Sequence, residues 1–262
     1  MLVELGLGDR AAIVTGASRG IGRAVAEALV AEGASVLLVA RRADVLAEVA
    51  RDLGPAAVAC PADLTDPDAA TAVVARCQEA FGRVDVLVNN AGEAVPAPMD
   101  TLTEDDWRTG FELTFFAAVR MAQACAPVMR AAGWGRMVHV ASVSGREPDP
   151  LFAPYSAAKA ALLNLSTSLS QAYAADGVLS SCVVPGVTLT ELVAGNAAET
   201  AARRGTSVDD VMDRMLAKHR VAAGRFGTPA EVAAAVVFLA SEAASWTTGA
   251  TLEVDGGTLR SV

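Results

Sequence analysis

The chain has 262 residues, of which 53% are apolar and 19% charged, enough to build one sizeable α/β core and too apolar for a disordered chain. Its net charge of −9, with no basic stripe, argues against a nucleic-acid partner and against an anionic membrane surface. No uncharged apolar run approaches the ~20 residues of a membrane span, and the first nine residues carry Glu4 and Asp9 without a basic cluster, so the expected compartment is the cytoplasm.

Short β-branched runs alternate with longer Ala-rich stretches along the whole chain, the pattern of βαβ units around a parallel sheet. Strands are expected at 11–15, 35–39, 57–60, 84–88, 136–141, 179–184 and 251–254, most of them apolar throughout, as strands covered on both faces should be. Helices are expected at 21–32, 43–53, 67–81, 104–132, 154–174 and 229–239. Thr228-Pro229-Ala230-Glu231 supplies an N-cap, a proline at the first helical position and an acid in the first turn. Thr65-Asp66-Pro67-Asp68 reads the same way. No repeat or linker divides the series, so residues 1–262 form a single α/β domain with a doubly wound parallel sheet of about seven strands. Residues 191–224 depart from the alternation. They are polar and Ala-rich, read as two helical pieces, and follow a strand's carboxyl end, where ligands bind in such sheets, so a small substrate lid is expected. Cys60, Cys77, Cys125 and Cys182 form no CxxC pair or metal-ligand spacing and read as reduced thiols, with no metal site.

The most informative stretch follows the first strand. Thr15-Gly16-Ala17-Ser18-Arg19-Gly20-Ile21-Gly22 joins that strand to the first helix. A pyrophosphate site needs a tight glycine turn, close backbone approach and the unpaired N–H groups of a helix N-terminus. This octet resembles the cofactor turn of the short-chain dehydrogenase/reductase family, which implies a Rossmann-type fold and a nicotinamide dinucleotide held by Gly16, Ser18, Arg19, Gly20, Ile21 and Gly22. At the end of the second strand, Ala40 stands where the family's NAD-specific members resemble one another in having Asp, and Arg41 and Arg42 follow. A guanidinium suits a ribose 2′-phosphate, and basic residues opening a helix oppose its dipole, so their placement needs another reason. The expected cofactor is therefore NADP(H), with Arg19 reaching the same phosphate. By resemblance, Asp63-Leu64 contact the adenine, and Asn90, Ala91 and Gly92, in the family's NNAG motif, border the cofactor.

Tyr155 and Lys159 stand at i and i+4 on one helix face. An ammonium beside a phenol favours the phenolate, so Lys159 is expected to draw the Tyr155 pKa down from ~10 toward a useful range. Ser142, thirteen residues before Tyr155, matches the family's substrate-positioning serine. The resemblance further implies that Lys159 bonds the nicotinamide ribose, and that Val187 and Thr190 in Pro185-Gly186-Val187-Thr188-Leu189-Thr190 contact the carboxamide and phosphates. One position departs. The family's helical Asn, which holds a water on a proton path to the Lys, is here Thr114, a hydroxyl without an amide.

The implied activity is reduction of a ketone to a secondary alcohol, or the reverse. The mouth residues Val95, Pro96, Met99, Leu151 and Phe152 suit an apolar or secondary-metabolite ketone. A 3-oxoacyl group on an acidic carrier protein, the family's commonest substrate, is the alternative, disfavoured by the −9 charge. A non-catalytic dinucleotide sensor is the other, with Thr114 its sole support. Long apolar helices imply, by resemblance, a homotetramer or homodimer.

Overall fold

The computed structural model of the chain describes residues 4–260. Among these, seven strands form one sheet: β1 (Ala11–Thr15), β2 (Ser35–Ala40), β3 (Ala57–Pro61), β4 (Val86–Asn89), β5 (Gly135–Val140), β6 (Val178–Pro185) and β7 (Thr251–Val254). Their order is β3-β2-β1-β4-β5-β6-β7, and every neighbouring pair is parallel. The winding reverses between β1 and β4. That reversal leaves a crevice beyond the carboxyl ends of these two strands, the ligand position of doubly wound sheets.

The helices are α1 (Gly20–Ala31), α2 (Ala43–Leu53), α3 (Ala69–Phe81), α4 (Glu104–Phe111), α5 (Ala117–Ala132), α6 (Ala153–Tyr173), α7 (Glu191–Arg204), α8 (Val208–His219) and α9 (Pro229–Ala240). Successive strand residues face opposite ways, and both faces are covered. Ala12 and Val14 of β1 pack with Val25 and Leu29 of α1 and with Val232 and Val236 of α9. Ile13 between them packs into the other layer, with Val73 of α3 and Met121 and Cys125 of α5. Each such Ile, Leu or Val fully buried contributes ~1.5–3 kcal/mol relative to exposure, which explains why the strands are mostly apolar.

The expected fold class is the observed one, with three local differences. The helix anticipated at 67–81 begins at Ala69, because Asp66 Oδ1 accepts from the Asp68 N–H at 3.0 Å and holds Pro67 in a preceding turn. β4 begins at Val86 rather than Val84. The Asp85 before it is buried and ties back to Ala11 through its backbone and its carboxylate, both at 2.8 Å. The expected helix 104–132 is two helices joined by a wide π-helical turn over Glu112–Phe116, with Thr114 inside it. A π turn inserts one residue into the helical repeat. The apolar pattern runs on through such an insertion, so periodicity does not reveal it.

Between β6 and α9 the chain leaves the sheet. α7 and α8 pack on each other through Ala197, Ala201 and Val211. Their stem is closed by a bridge between Thr188 and Gly227, with Leu189 N–H on the Gly227 carbonyl at 2.8 Å and Gly227 N–H on the Val187 carbonyl at 3.0 Å. Among the described residues no helix is long and apolar enough to cross a membrane.

Candidate active site

A cleft of about 560 Å³ opens at the β1/β4 reversal. The glycine turn forms its floor. Gly16 has φ +67°, a left-handed conformation, and Gly22 is pressed so closely that a side-chain carbon there would lie 2.3 Å from the Gly16 carbonyl oxygen and 2.5 Å from Asn90 Nδ2. Only glycine fits Gly22 without moving backbone. Asn90 fastens the turn to β4: its Nδ2 donates to the carbonyls of Thr15 (3.0 Å) and Gly16 (3.3 Å). Thr15 Oγ1 returns the contact, accepting from the N–H groups of Asn90 (2.9 Å) and Ala91 (3.1 Å). The first turn of α1 thus aims its N–H groups into the cleft, a ready seat for a phosphate.

Gly16, Ser18, Arg19, Gly20, Ile21, Arg41, Arg42, Leu64, Asn90, Ala91, Gly92 and Thr190 all line this cleft. Arg19, Arg41 and Arg42 are exposed and free to meet an anion at its rim. Asp63 does not line the cleft. Its carboxylate Oδ1 accepts from the Thr65 N–H (3.0 Å) and hydroxyl (2.8 Å), and these bonds hold its pKa below the usual carboxylate range. Pro185, Gly186 and Val187 lie beyond the cleft lining, at the end of β6, where the Gly186 N–H bonds the Val254 carbonyl at 3.0 Å. Thr190 Oγ1 caps α7 by accepting from the Val193 N–H at 3.3 Å, which leaves its own O–H able to donate. Glu191 was not among the sequence-derived site residues. Its Oε2 accepts from the Gly20 N–H at 3.1 Å, inside the cleft.

Gly92 links the cleft to the second half of the site. A side-chain carbon there would lie 3.5 Å from Thr114 Oγ1 and 3.6 Å from Lys159 Nζ. Lys159 is buried, donates to the Val140 carbonyl at 2.5 Å, and has Nζ 5.6 Å from the Tyr155 ring centre. Thr114 is buried too, and its Oγ1 accepts from the Glu93 N–H at 3.4 Å. Ser142 Oγ accepts from the Ser144 N–H at 3.1 Å, and Ser142 stands near enough to Tyr155 to oppose the rise of its pKa. Ser142, Tyr155, Lys159 and Thr114 are therefore brought together on one side of Gly92.

Their electrostatics correct one expectation. Lys159 does not bring the Tyr155 pKa down here. Burial pushes the phenol up, with Ser142 opposing in part. Burial also pushes Lys159 down to about 8. Both shifts have one cause, since an apolar site disfavours phenolate and ammonium alike. The pair meets the active-site surroundings with a protonated phenol. Behind Lys159, His139 is fully buried and lies 3.2 Å through Nδ1 from Asn89 Nδ2. An amide nitrogen only donates, so Nδ1 accepts and the ring proton sits on Nε2, which has no partner among the described residues. Burial, with the Lys159 charge, pushes the His139 pKa down to about 4. The four cysteines are free, and the described residues hold no cluster of metal-ligating side chains.

Comparison with known proteins agrees with this geometry. A family model described as short chain dehydrogenase matches residues 10–201. Cis-4-hydroxycyclohexanecarboxylate dehydrogenase of Sinomonas cyclohexanicum is 41% identical over 252 residues, 95% of this chain and 96% of that protein. The 3-oxoacyl-acyl-carrier-protein reductase of Salmonella typhimurium is 37% identical over 246 residues, 94% of this chain and 96% of its own. Among solved structures, L-sorbose reductase of Gluconobacter frateurii, complexed with NADPH and L-sorbose, superposes with a TM-score of 0.95 at 34% identity, covering 99% of this chain and 100% of that one. The chain belongs to the short-chain dehydrogenase/reductase family of oxidoreductases.

Proposed function

We propose that the protein is an NADPH-dependent reductase that converts a free ketone to a secondary alcohol. The observation that carries this reading is the juxtaposition, across Gly92, of a phosphate-seating cleft rimmed by Arg19, Arg41 and Arg42 with the Ser142–Tyr155–Lys159 group. The cleft fits a dinucleotide: its glycine floor admits backbone contact, α1 offers its positive end, and its arginines match a 2′-phosphate. When bound, the nicotinamide supplies the hydride. Tyr155 gives its phenolic proton to the carbonyl oxygen, and the Ser142 hydroxyl donates to the same oxygen as charge develops there. Lys159 holds positive charge beneath the phenol and, by resemblance, bonds the nicotinamide ribose. A phenol kept protonated by burial suits reduction at neutral pH. The reverse oxidation needs the phenolate, so its rate should climb only at alkaline pH, where Tyr155 loses its proton against the cost of burial.

The substrate faces Val95, Met99 and Leu151, which remain exposed, and α7 with α8 serves as its lid. These apolar residues and the −9 charge favour an uncharged ketone. The 37% identity to a carrier-protein reductase keeps a 3-oxoacyl thioester as the second reading. NADPH oxidation with a panel of cyclic ketones, keto-sugars and 3-oxoacyl thioesters tests both. Turnover of a free ketone well above the thioesters is expected, and thioester preference overturns the substrate reading. We also infer self-association, because Phe116 and Phe238 stand exposed on separate helical faces. Light scattering should give a dimeric or tetrameric mass.

A further inference from the structure

The Glu191 carboxylate occupies a position that the cofactor reading assigns to phosphate. Gly20 is the first residue of α1, and its N–H points along the positive end of that helix. Glu191 Oε2 accepts that N–H at 3.1 Å. Glu191 is also the first residue of α7, so the amino-terminal ends of two helices meet across the cleft with one carboxylate between them. Thr190 packs into the same junction, 3.2 Å from where a side-chain carbon on Gly20 would lie. The charge is felt further along α1, where Glu191 adds to the influence of Glu27 and Asp52 in raising the Arg23 pKa.

We propose that Glu191 is an internal competitor for the pyrophosphate seat: its carboxylate holds the Gly20 N–H while the cleft is empty and must yield that amide when a dinucleotide binds. The inference rests on the cofactor reading above and adds a residue that sets cofactor affinity. A pyrophosphate and a carboxylate cannot share one N–H, and their like charges repel at this distance. Glu191 therefore subtracts from the affinity of any ligand carrying a pyrophosphate, whatever its 2′ substituent. The contact also ties α7 to the body of the protein. At the far end of the helix pair, Lys218 bonds Asp149 at 2.6 Å. Cofactor arrival removes the Glu191 contact.

The test uses the full chain without any carbonyl substrate. NADPH, NADH and adenosine 2′-monophosphate are titrated into wild type and Glu191→Gln. The glutamine oxygen can still accept from the Gly20 N–H, so the fold is retained and only the charge is lost. NADPH and NADH should each bind about threefold to tenfold tighter to the variant, the size expected of a charge at a helix N-terminus. Adenosine 2′-monophosphate, which lacks the pyrophosphate, should bind both proteins equally. NADPH binding no tighter to Glu191→Gln overturns the proposal, and so does an equal gain for all three ligands, which would mark a general field effect. Failure of both dinucleotides to bind either protein overturns the cofactor reading itself, and this inference with it.

Discussion

Arg41 and His139 illustrate how differently single residues carry information. Arg41 is exposed at the rim of the cleft, beside Ala40, where an acid would select for a free ribose hydroxyl. Its bond to a 2′-phosphate would be charge-assisted and worth about 1.5–3 kcal/mol. Arg41→Ala should weaken NADPH binding by about that amount and leave NADH almost unchanged; parallel titrations of both cofactors check it, and a matched loss for both would remove Arg41 from cofactor selection. His139 contributes through protonation. Its pKa falls from 6.5 to about 4 on burial, so the unfolded chain takes up the proton first as pH drops. Stability is then unaffected above pH 6.5 and is lost progressively as pH falls toward 4, by up to about 3 kcal/mol. His139→Gln, which cannot titrate, should show a shallower fall in denaturation midpoint over that window. Both positions are visible in the sequence, but only Arg41 suggests a use there, because a cation stands next to a cofactor motif. The state of His139 and the raised pKa of Tyr155 depend on what packs around them. Glu191 was hidden for a related reason: its partner lies 171 residues away.

At the scale of elements, the turn between β1 and α1 is the most demanding piece of backbone. Adding one methyl at Gly22 drives it into the Gly16 carbonyl and the Asn90 amide, both of which anchor the turn to β4. Gly22→Ala should therefore abolish measurable dinucleotide binding while the far-UV circular dichroism stays α/β; unaltered cofactor affinity would mean that the turn tolerates displacement. This turn was legible because its chemistry leaves few alternatives to glycine. The π turn at Glu112–Phe116 was not, since the apolar pattern runs on through it without a break. Gly110 is packed so tightly on Pro154 of α6 that a side-chain carbon would lie 2.7 Å away. The turn also carries Thr114 to Glu93 and Gly92 beside Lys159. The missing amide at this position, evident in the sequence, thus leaves the local backbone arrangement bonded. The helix start at Thr228, by contrast, is legible in four letters as an N-cap, a proline and a first-turn acid, and the structure closes it as a capping box: Thr228 Oγ1 accepts from the Glu231 N–H at 3.2 Å, and the Glu231 carboxylate accepts from the Thr228 N–H at 2.8 Å.

The whole molecule follows from the alternation of apolar strands with amphipathic helices, which specifies a parallel sheet covered on both faces. The sheet order then puts the β1 and β4 turns side by side, although 75 residues separate Thr15 from Asn90. That proximity could not be read from local pattern, yet it turns several weak motifs into one site. The central claim is that this site reduces a carbonyl with Tyr155 as the proton donor. Tyr155→Phe tests it most directly, since it removes one hydroxyl and keeps the ring packing. NADPH affinity and single-turnover reduction of a ketone accepted by wild type should be measured together in both proteins. The account predicts unchanged NADPH binding and a rate lower by at least ~10²-fold, the lower end of what general acid catalysis supplies. A Tyr155→Phe protein that binds NADPH normally and keeps about a tenth of the wild-type rate or more, well outside that range, would contradict it.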